Sequence, residues 1–286
     1  MNNPKIPKTW KCFIDGNFVR SESGRCISIE ENNKETAYIP NASRKDLRNA
    51  IEASTTAFEK WKTKIGYTRG QILWRFAEIL LSRKDEIANL IPAVPLRDAK
   101  KEVQLSVERI VQIAGWADKF QQVLGSSNPV NGPYHNFTLP TPIGSTVILP
   151  PSQPSLLSLI TLTCNALTVG CTAVVISSIE NGRLACALGE IAATSDLPNG
   201  TLNIITSNDD SLLSTLANHR GLKCIVGDLP PSKARVIKNG QGVDLKRVSL
   251  TQYDFSWWEN VNHAISPWSL EPFLEFKTIW HPCSTM

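Results

Sequence analysis

Residues 145–250 constrain the fold of this chain most, because short β-rich runs alternate there with helix-length apolar stretches. STVIL (145–149) leads to SLLSLITLTCNALTV (155–169), a helical run closed by Gly170. TAVVIS (172–177) leads to a helix from about residue 181 to 195. TLNIITS (201–207) precedes DDSLLSTLANH (209–219), LKCIV (222–226) precedes the short helix PSKARVIKN, and DLKRVSL (244–250) ends the series. Strands spaced by single helices build right-handed βαβ units, so the pattern predicts an α/β fold with a doubly wound, parallel, Rossmann-like sheet.

The flanks read differently. In CFIDGNFVR (12–20), apolar residues bracket Asp15-Gly16, a strong hairpin-turn dipeptide. Leu47, Ala50, Ile51, Ser54, Ala57, Phe58 and Trp61 recur at helical spacing after Ser43, which sits where an N-cap belongs. A second helix is expected from Thr68, with Gln71 completing a capping box, and should end before Pro92 and Pro95. A third is expected over residues 97–124, stopping at Gly125. HNFTLPTP (135–142) and FLEFKTIW (273–280) read as strands outside the parallel unit, the second with Leu274, Phe276, Thr278 and Trp280 on one face. The organisation expected is an N-terminal hairpin and helical part over 1–134, extra strands at 135–142 and 272–282, the βαβ part over 143–251, and a Trp-rich linker at 252–271.

Composition excludes little beyond two classes of partner. Thirty basic and 26 acidic residues leave a net charge of +4 without a basic run, which argues against a nucleic-acid or membrane-surface role. The densest positive stretch, KNGQGVDLKR (238–247), reads as a solvated loop and strand start. No apolar run is long enough to span a bilayer. Seven scattered cysteines without a CxxC pair read as free thiols in the cytosol, and Cys164 and Cys186 fall on apolar helix faces where packing is the usual role. No metal site is expected.

Five segments in order resemble the aldehyde dehydrogenase superfamily: Phe13-Ile14-Asp15-Gly16, Gly115-Trp116-Ala117-Asp118-Lys119, the stretch 142–179 beginning Pro142 and Gly144, Leu197-Pro198-Asn199-Gly200 through Ile205, and Leu245 through Leu250. Residues 272–281 resemble that family's C-terminal oligomerisation strand. Only about twenty residues lie where the family carries its catalytic domain, so the layout is similar to the truncated second module of two-module, family-16 type aldehyde dehydrogenases. The resemblance implies NAD or NADP as cofactor, a nucleophilic cysteine, an oxyanion-hole asparagine and a general-base glutamate.

Carried over position by position, those residues are replaced. The oxyanion-hole asparagine falls on Gln153 and the base on Thr251, which cannot accept a proton near neutral pH. The nucleophile has no counterpart, since Cys283 follows the last strand. The ribose-binding lysine and glutamate fall on Ile176 and Ile179. The phosphate-binding turn becomes Gly227-Asp228-Leu229-Pro230-Pro231-Ser232, where Asp228 adds negative charge, the prolines remove N–H donors, and Gly227 reads as serving a turn.

The expected function is therefore a pseudoenzyme: an aldehyde dehydrogenase-like structural module without bound cofactor. It is expected to self-associate, or pair with a complete aldehyde dehydrogenase module, through Phe273, Leu274, Phe276, Thr278 and Trp280. Trp257, Trp258 and Trp268 are expected to cover core left bare by the missing domain. Two alternatives are an oxidoreductase completed by residues of another chain, and a nucleotide-binding sensor without turnover.

Overall fold

The structure is a computed structural model that describes residues 6–31, 34–92, 94–240 and 245–283. The basic stretch at 238–247 falls partly on residues 241–244, outside the described residues.

The N-terminal part supplies a small sheet, a hairpin and the first helices. β1 (Lys8–Thr9) pairs parallel with β5 (Lys34–Pro40), and β5 pairs antiparallel with β4 (Cys26–Glu31). Between them β2 (Cys12–Ile14) and β3 (Asn17–Val19) form the expected hairpin, with Asp15 at φ 51° and Gly16 at φ 75°. Two positive φ values in succession give the turn whose twist matches its strands. α1 (Arg44–Trp61) opens on Ser43, whose hydroxyl accepts from the Lys45 and Asp46 N–H groups, while the Asp46 carboxylate accepts from the Ser43 N–H at 2.7 Å. That reciprocal cap places Leu47, Ala50, Ile51, Ser54 and Trp61 toward the core.

Two helix expectations need correction. α2 (Gly66–Ser82) starts before Thr68 and has no side-chain cap. Its first turn packs against the Ala117 carbonyl, which lies 2.2 Å from where a Gly66 Cβ would be, so tertiary packing outweighs the local capping signal. The chain continues through α3 (Lys84–Ala88) to α4 (Leu96–Ala114) and α5 (Phe120–Leu124). The third helix is thus interrupted at 115–119, where Ala117 turns into the core and the Trp116 indole donates to the Ile265 carbonyl at 2.7 Å.

After β6 (Ser126–Asn128) and β7 (Tyr134–Pro142) the parallel unit runs as expected. Its elements are β8 (Ser145–Leu149), α6 (Ser155–Val169), β9 (Thr172–Ser177), α7 (Gly182–Ala192), β10 (Leu202–Thr206), α8 (Ser211–Asn218), β11 (Cys224–Gly227), α9 (Pro231–Asn239) and β12 (Arg247–Leu250). The sheet order is β12-β11-β8-β9-β10-β2-β3, parallel from β12 to β10, with the hairpin added antiparallel at one edge. Every residue of α6 is buried, because this helix lies between the sheet and α4. Such a helix needs no polar face, which explains its nearly continuous apolar sequence.

From β12 the chain passes through α10 (Phe255–Glu259), α11 (Val261–Ala264) and a 3-10 segment, Pro267–Phe273, to β13 (Leu274–Pro282). β13 pairs antiparallel with β7 from Leu274 opposite Pro142 to Pro282 opposite Tyr134, and forms one edge of the sheet β13-β7-β6. Among the described residues no helix is long and apolar enough to cross a membrane.

Candidate functional site

Strand order locates the site. The chain enters the parallel sheet at β8, moves outward through β9 and β10, then returns to the other side of β8 with β11. The connections leaving β8 and β11 diverge, and a crevice opens beyond their carboxyl ends. A cleft of about 710 Å³ occupies that place. Gly227 ends β11 directly against β8: a Cβ on it would lie 2.2 Å from the Leu149 carbonyl oxygen. This glycine, read from sequence as serving a turn, is instead required by the close approach of two strands. The next N–H, of Asp228, donates to that same Leu149 oxygen at 2.9 Å.

The other candidate residues are spread around the cleft. Ile176, in β9, and Ile179, just after it, line it half-buried. Asp228 lines it as well. Burial pushes its carboxyl above the usual carboxylate value, although the Tyr253 N–H donates to it at 3.2 Å. Ser232, in the first turn of α9, is exposed and is not on the cleft wall. Gln153 is exposed and its amide donates to the Pro92 carbonyl at 3.3 Å. Thr251 is exposed just after β12, its N–H held by the Gly227 carbonyl at 3.1 Å. Sequence reading passed over Glu180, which stands one residue beyond Ile179 and also lines the cleft.

The cleft wall is acidic. Glu180, Asp209, Asp210 and Asp228 face a single lysine, Lys233, whose ammonium is engaged by Asp210 at 2.6 Å. Asp209 is held below the usual range by hydrogen bonds from Ser211. One side is apolar, from Leu212, Leu213, Leu216, Ile176 and Ile179. The volume lies in the range of small-molecule sites. A pyrophosphate finds less here: the Asp228 N–H is already used, and Pro230 and Pro231 at the start of α9 donate nothing.

No thiol among the described residues is set up as a nucleophile. Burial pushes the Cys12 and Cys164 thiols up to about 12 and Cys171 to about 11. Cys186 and Cys224 are raised further by the same cause. Cys26 and Cys283 are exposed, and Cys283 makes only a contact to the His281 carbonyl at 3.8 Å.

The association residues divide into two groups. Phe273 and Leu274 are 1% and 0% exposed, so they are core residues of this chain and cannot meet a partner. Phe276 and Trp280 are 43% and 58% exposed, Ile279 joins them at 41%, and Thr278 is exposed beside them. The tryptophans divide likewise. Trp258 is fully buried, Trp257 is half-buried and stacked on Tyr253, and Trp268 is 67% exposed. Only Trp258 covers the core completely.

The sequence model of the aldehyde dehydrogenase family matches residues 18–250. The chain belongs to that family. Among curated aldehyde dehydrogenase relatives, it is 28% identical to mitochondrial 10-formyltetrahydrofolate dehydrogenase of Mus musculus over 86% of this chain and 28% of that one. It spans about half or less of the length of the relatives it matches. Among solved structures of the same fold, 3,6-anhydro-L-galactose dehydrogenase in complex with NAP superposes with a TM-score of 0.79 at 22% identity, covering 86% of this chain and 52% of that one. An NAD+ complex of aldehyde dehydrogenase from Bacillus cereus gives 0.79 at 22%, over 85% and 50%. These complexes overturn the expectation that no cofactor is to be looked for: solved aldehyde dehydrogenases sharing this fold hold NAD+ or NAP. The expectation weighed the lost side chains above the cleft, which depends on backbone topology and remains open.

Proposed function

We propose that this member of the aldehyde dehydrogenase family acts by association rather than by turnover of its own, and that its cleft receives a nicotinamide dinucleotide. The observation that carries the association reading is the β7–β13 ribbon. It leaves Phe276, Ile279 and Trp280 in solvent and, among the described residues, has an unpaired strand edge along β13. An exposed apolar edge strand favours pairing with another chain. The partner is a second copy or a complete aldehyde dehydrogenase. The absence of turnover is supported by Thr251 at the base position and by the inaccessibility of the buried thiols.

Sedimentation velocity tests association. The chain should sediment as an oligomer at tens of micromolar, alone or mixed with a complete aldehyde dehydrogenase. Trp280→Ser combined with Ile279→Lys should return it to monomer with an unchanged circular dichroism spectrum. A chain that stays monomeric in both settings refutes the reading. Thermal shift with NAD+ and NADP+ tests the cleft: a ligand at one hundred times its Kd raises stability by about 2.7 kcal/mol. An unmoved Tm at millimolar cofactor removes the dinucleotide part, and aldehyde-dependent NADH formation removes the pseudoenzyme part.

A further inference from the structure

A small pocket, of about 220 Å³, lies between the sheet β1-β5-β4 and the turn that leaves the β2–β3 hairpin. No residue lines both this pocket and the cleft at the switch point. The local sequence builds it. In Arg20-Ser21-Glu22-Ser23-Gly24-Arg25-Cys26 the Gly24 N–H donates to the Ser21 carbonyl at 2.9 Å, with Gly24 at φ 67°. A turn closed in this way brings its flanking residues alongside each other, so Arg20 and Arg25 reach one pocket. Both ends of the turn are held. The Ser21 hydroxyl donates to Asp46 Oδ2 at 2.7 Å, and the Arg25 carbonyl accepts from the Asn41 N–H at 2.9 Å.

Unanswered positive charge is the first property of its wall. Among the described residues neither guanidinium makes a hydrogen bond or ion pair, and no carboxylate lines the pocket. The carboxylates nearby are engaged or remote. Asp46, behind Ser21, already accepts from Ser21 and from the Glu22 and Ser43 N–H groups. Asp209, in the cleft, feels Arg25 only through space. Lys8, whose ammonium lies over the Trp10 ring at 3.5 Å, is held by Glu190 at 3.1 Å. Aromatic surface is the second property, from Trp10 and Tyr38. Trp10 is 6% exposed, and its Nε1–H is buried without a hydrogen-bond partner. Such donors are almost always paired in native proteins, so this one lacks an acceptor. The third property is a thiol, Cys26, exposed on the same wall.

We propose that this pocket binds a small aromatic carboxylate. The carboxylate takes Arg20 and Arg25, whose planar guanidinium forks match its geometry, and the ring lies along the aromatic wall. A neutral ring of the same shape leaves both cations unpaired, and a bare inorganic anion leaves the aromatic wall unused. The proposal depends neither on association nor on the dinucleotide cleft.

Cys26 reports on the pocket, and Cys283, exposed beyond β13, is the control in the same molecule. The full chain is alkylated at low salt with iodoacetate or with neutral iodoacetamide, and mass spectrometry follows each cysteine. The rate ratio of iodoacetate to iodoacetamide should be about fivefold higher at Cys26 than at Cys283, the scale that two exposed ion pairs allow. Benzoate should protect Cys26 from iodoacetamide saturably and leave Cys283 unprotected. Benzamide and inorganic phosphate should protect Cys26 far less. Arg20→Gln and Arg25→Gln, exposed substitutions that keep the turn's backbone hydrogen bonds, should each lower the Cys26 ratio and weaken benzoate protection. Equal ratios at the two cysteines, no protection by benzoate, or protection undiminished in both variants overturns the proposal. So does equal protection by benzamide, which removes the charge requirement, or by phosphate, which removes the ring.

Discussion

Arg109 and Trp258 are joined in the core: the guanidinium Nη2 of Arg109, 1% exposed in α4, donates to the backbone carbonyl of Trp258 at 2.9 Å. Nη1 of the same group donates to Thr161 Oγ1 of α6 at 3.1 Å. One buried cation thus ties the Trp-rich segment to two helices. Burial lowers its pKa to about 10, which leaves it charged at neutral pH. Arg109→Met should orphan the Trp258 carbonyl and cost about 1–3 kcal/mol in urea denaturation. Hydrogen exchange should then quicken across residues 255–273 before the rest of the chain. Unchanged protection in that segment would show that Trp258 packing alone holds it.

Gly227 and Leu149 make the tightest approach at the switch point. Gly227→Ala places a Cβ 2.2 Å from a backbone oxygen, and no flexible side chain can yield there. The variant should lose about 1–3 kcal/mol of stability, from strand displacement. Wild-type stability in chemical denaturation would mean that β8 and β11 separate freely.

Glu102 accepts from the Leu156 and Leu157 N–H groups at 2.7 and 3.0 Å and so caps α6. Burial nevertheless raises its pKa above the ordinary 4.5, outweighing those two bonds. The native state then holds the proton more tightly than the unfolded chain. The stability this group contributes is full below 4.5 and is lost as pH rises through the raised folded value. Glu102→Gln keeps an acceptor but cannot ionise. The stability of wild type minus that of the variant should therefore fall as pH increases from 4 toward 7. A difference that stays flat or rises with pH would show that the two N–H bonds outweigh burial.

Thiol reactivity follows burial. Alkylation with iodoacetamide at pH 8 should label Cys26 and Cys283 in the native protein, and Cys12, Cys164, Cys171, Cys186 and Cys224 only after denaturation. Mass spectrometry reads the result peptide by peptide. Native labelling of Cys164 or Cys171 would reveal an accessible thiolate and reopen the question of a nucleophile in this chain.

The elements of the parallel unit were legible because each announces itself locally: an apolar strand, a helix-length run, a closing residue such as Gly170. The hairpin at Asp15-Gly16 and the Ser43 cap were legible for the same reason. The start of α2 and the break at 115–119 were not, since packing against Ala117 and the Trp116–Ile265 hydrogen bond set them. In the site, the replaced positions could be named from sequence. Glu180 on the cleft wall could not, because a one-residue offset in a loop is invisible to alignment by motif.

The sequence by itself determined the alternation of strands and helices, and with it the doubly wound sheet, because periodicity and turn chemistry act between near neighbours. Tertiary structure alone decided which residues of the terminal strand are core and which are surface. Leu274 lies next to the buried Phe273 where the strand leaves the 3-10 segment, whereas Trp280 lies six positions on, in a ribbon that projects into solvent. It alone decided, too, that Arg109 meets Trp258. Such pairings depend on how distant elements pack, and an alternating apolar pattern is the same whether one end of a strand is covered or left bare.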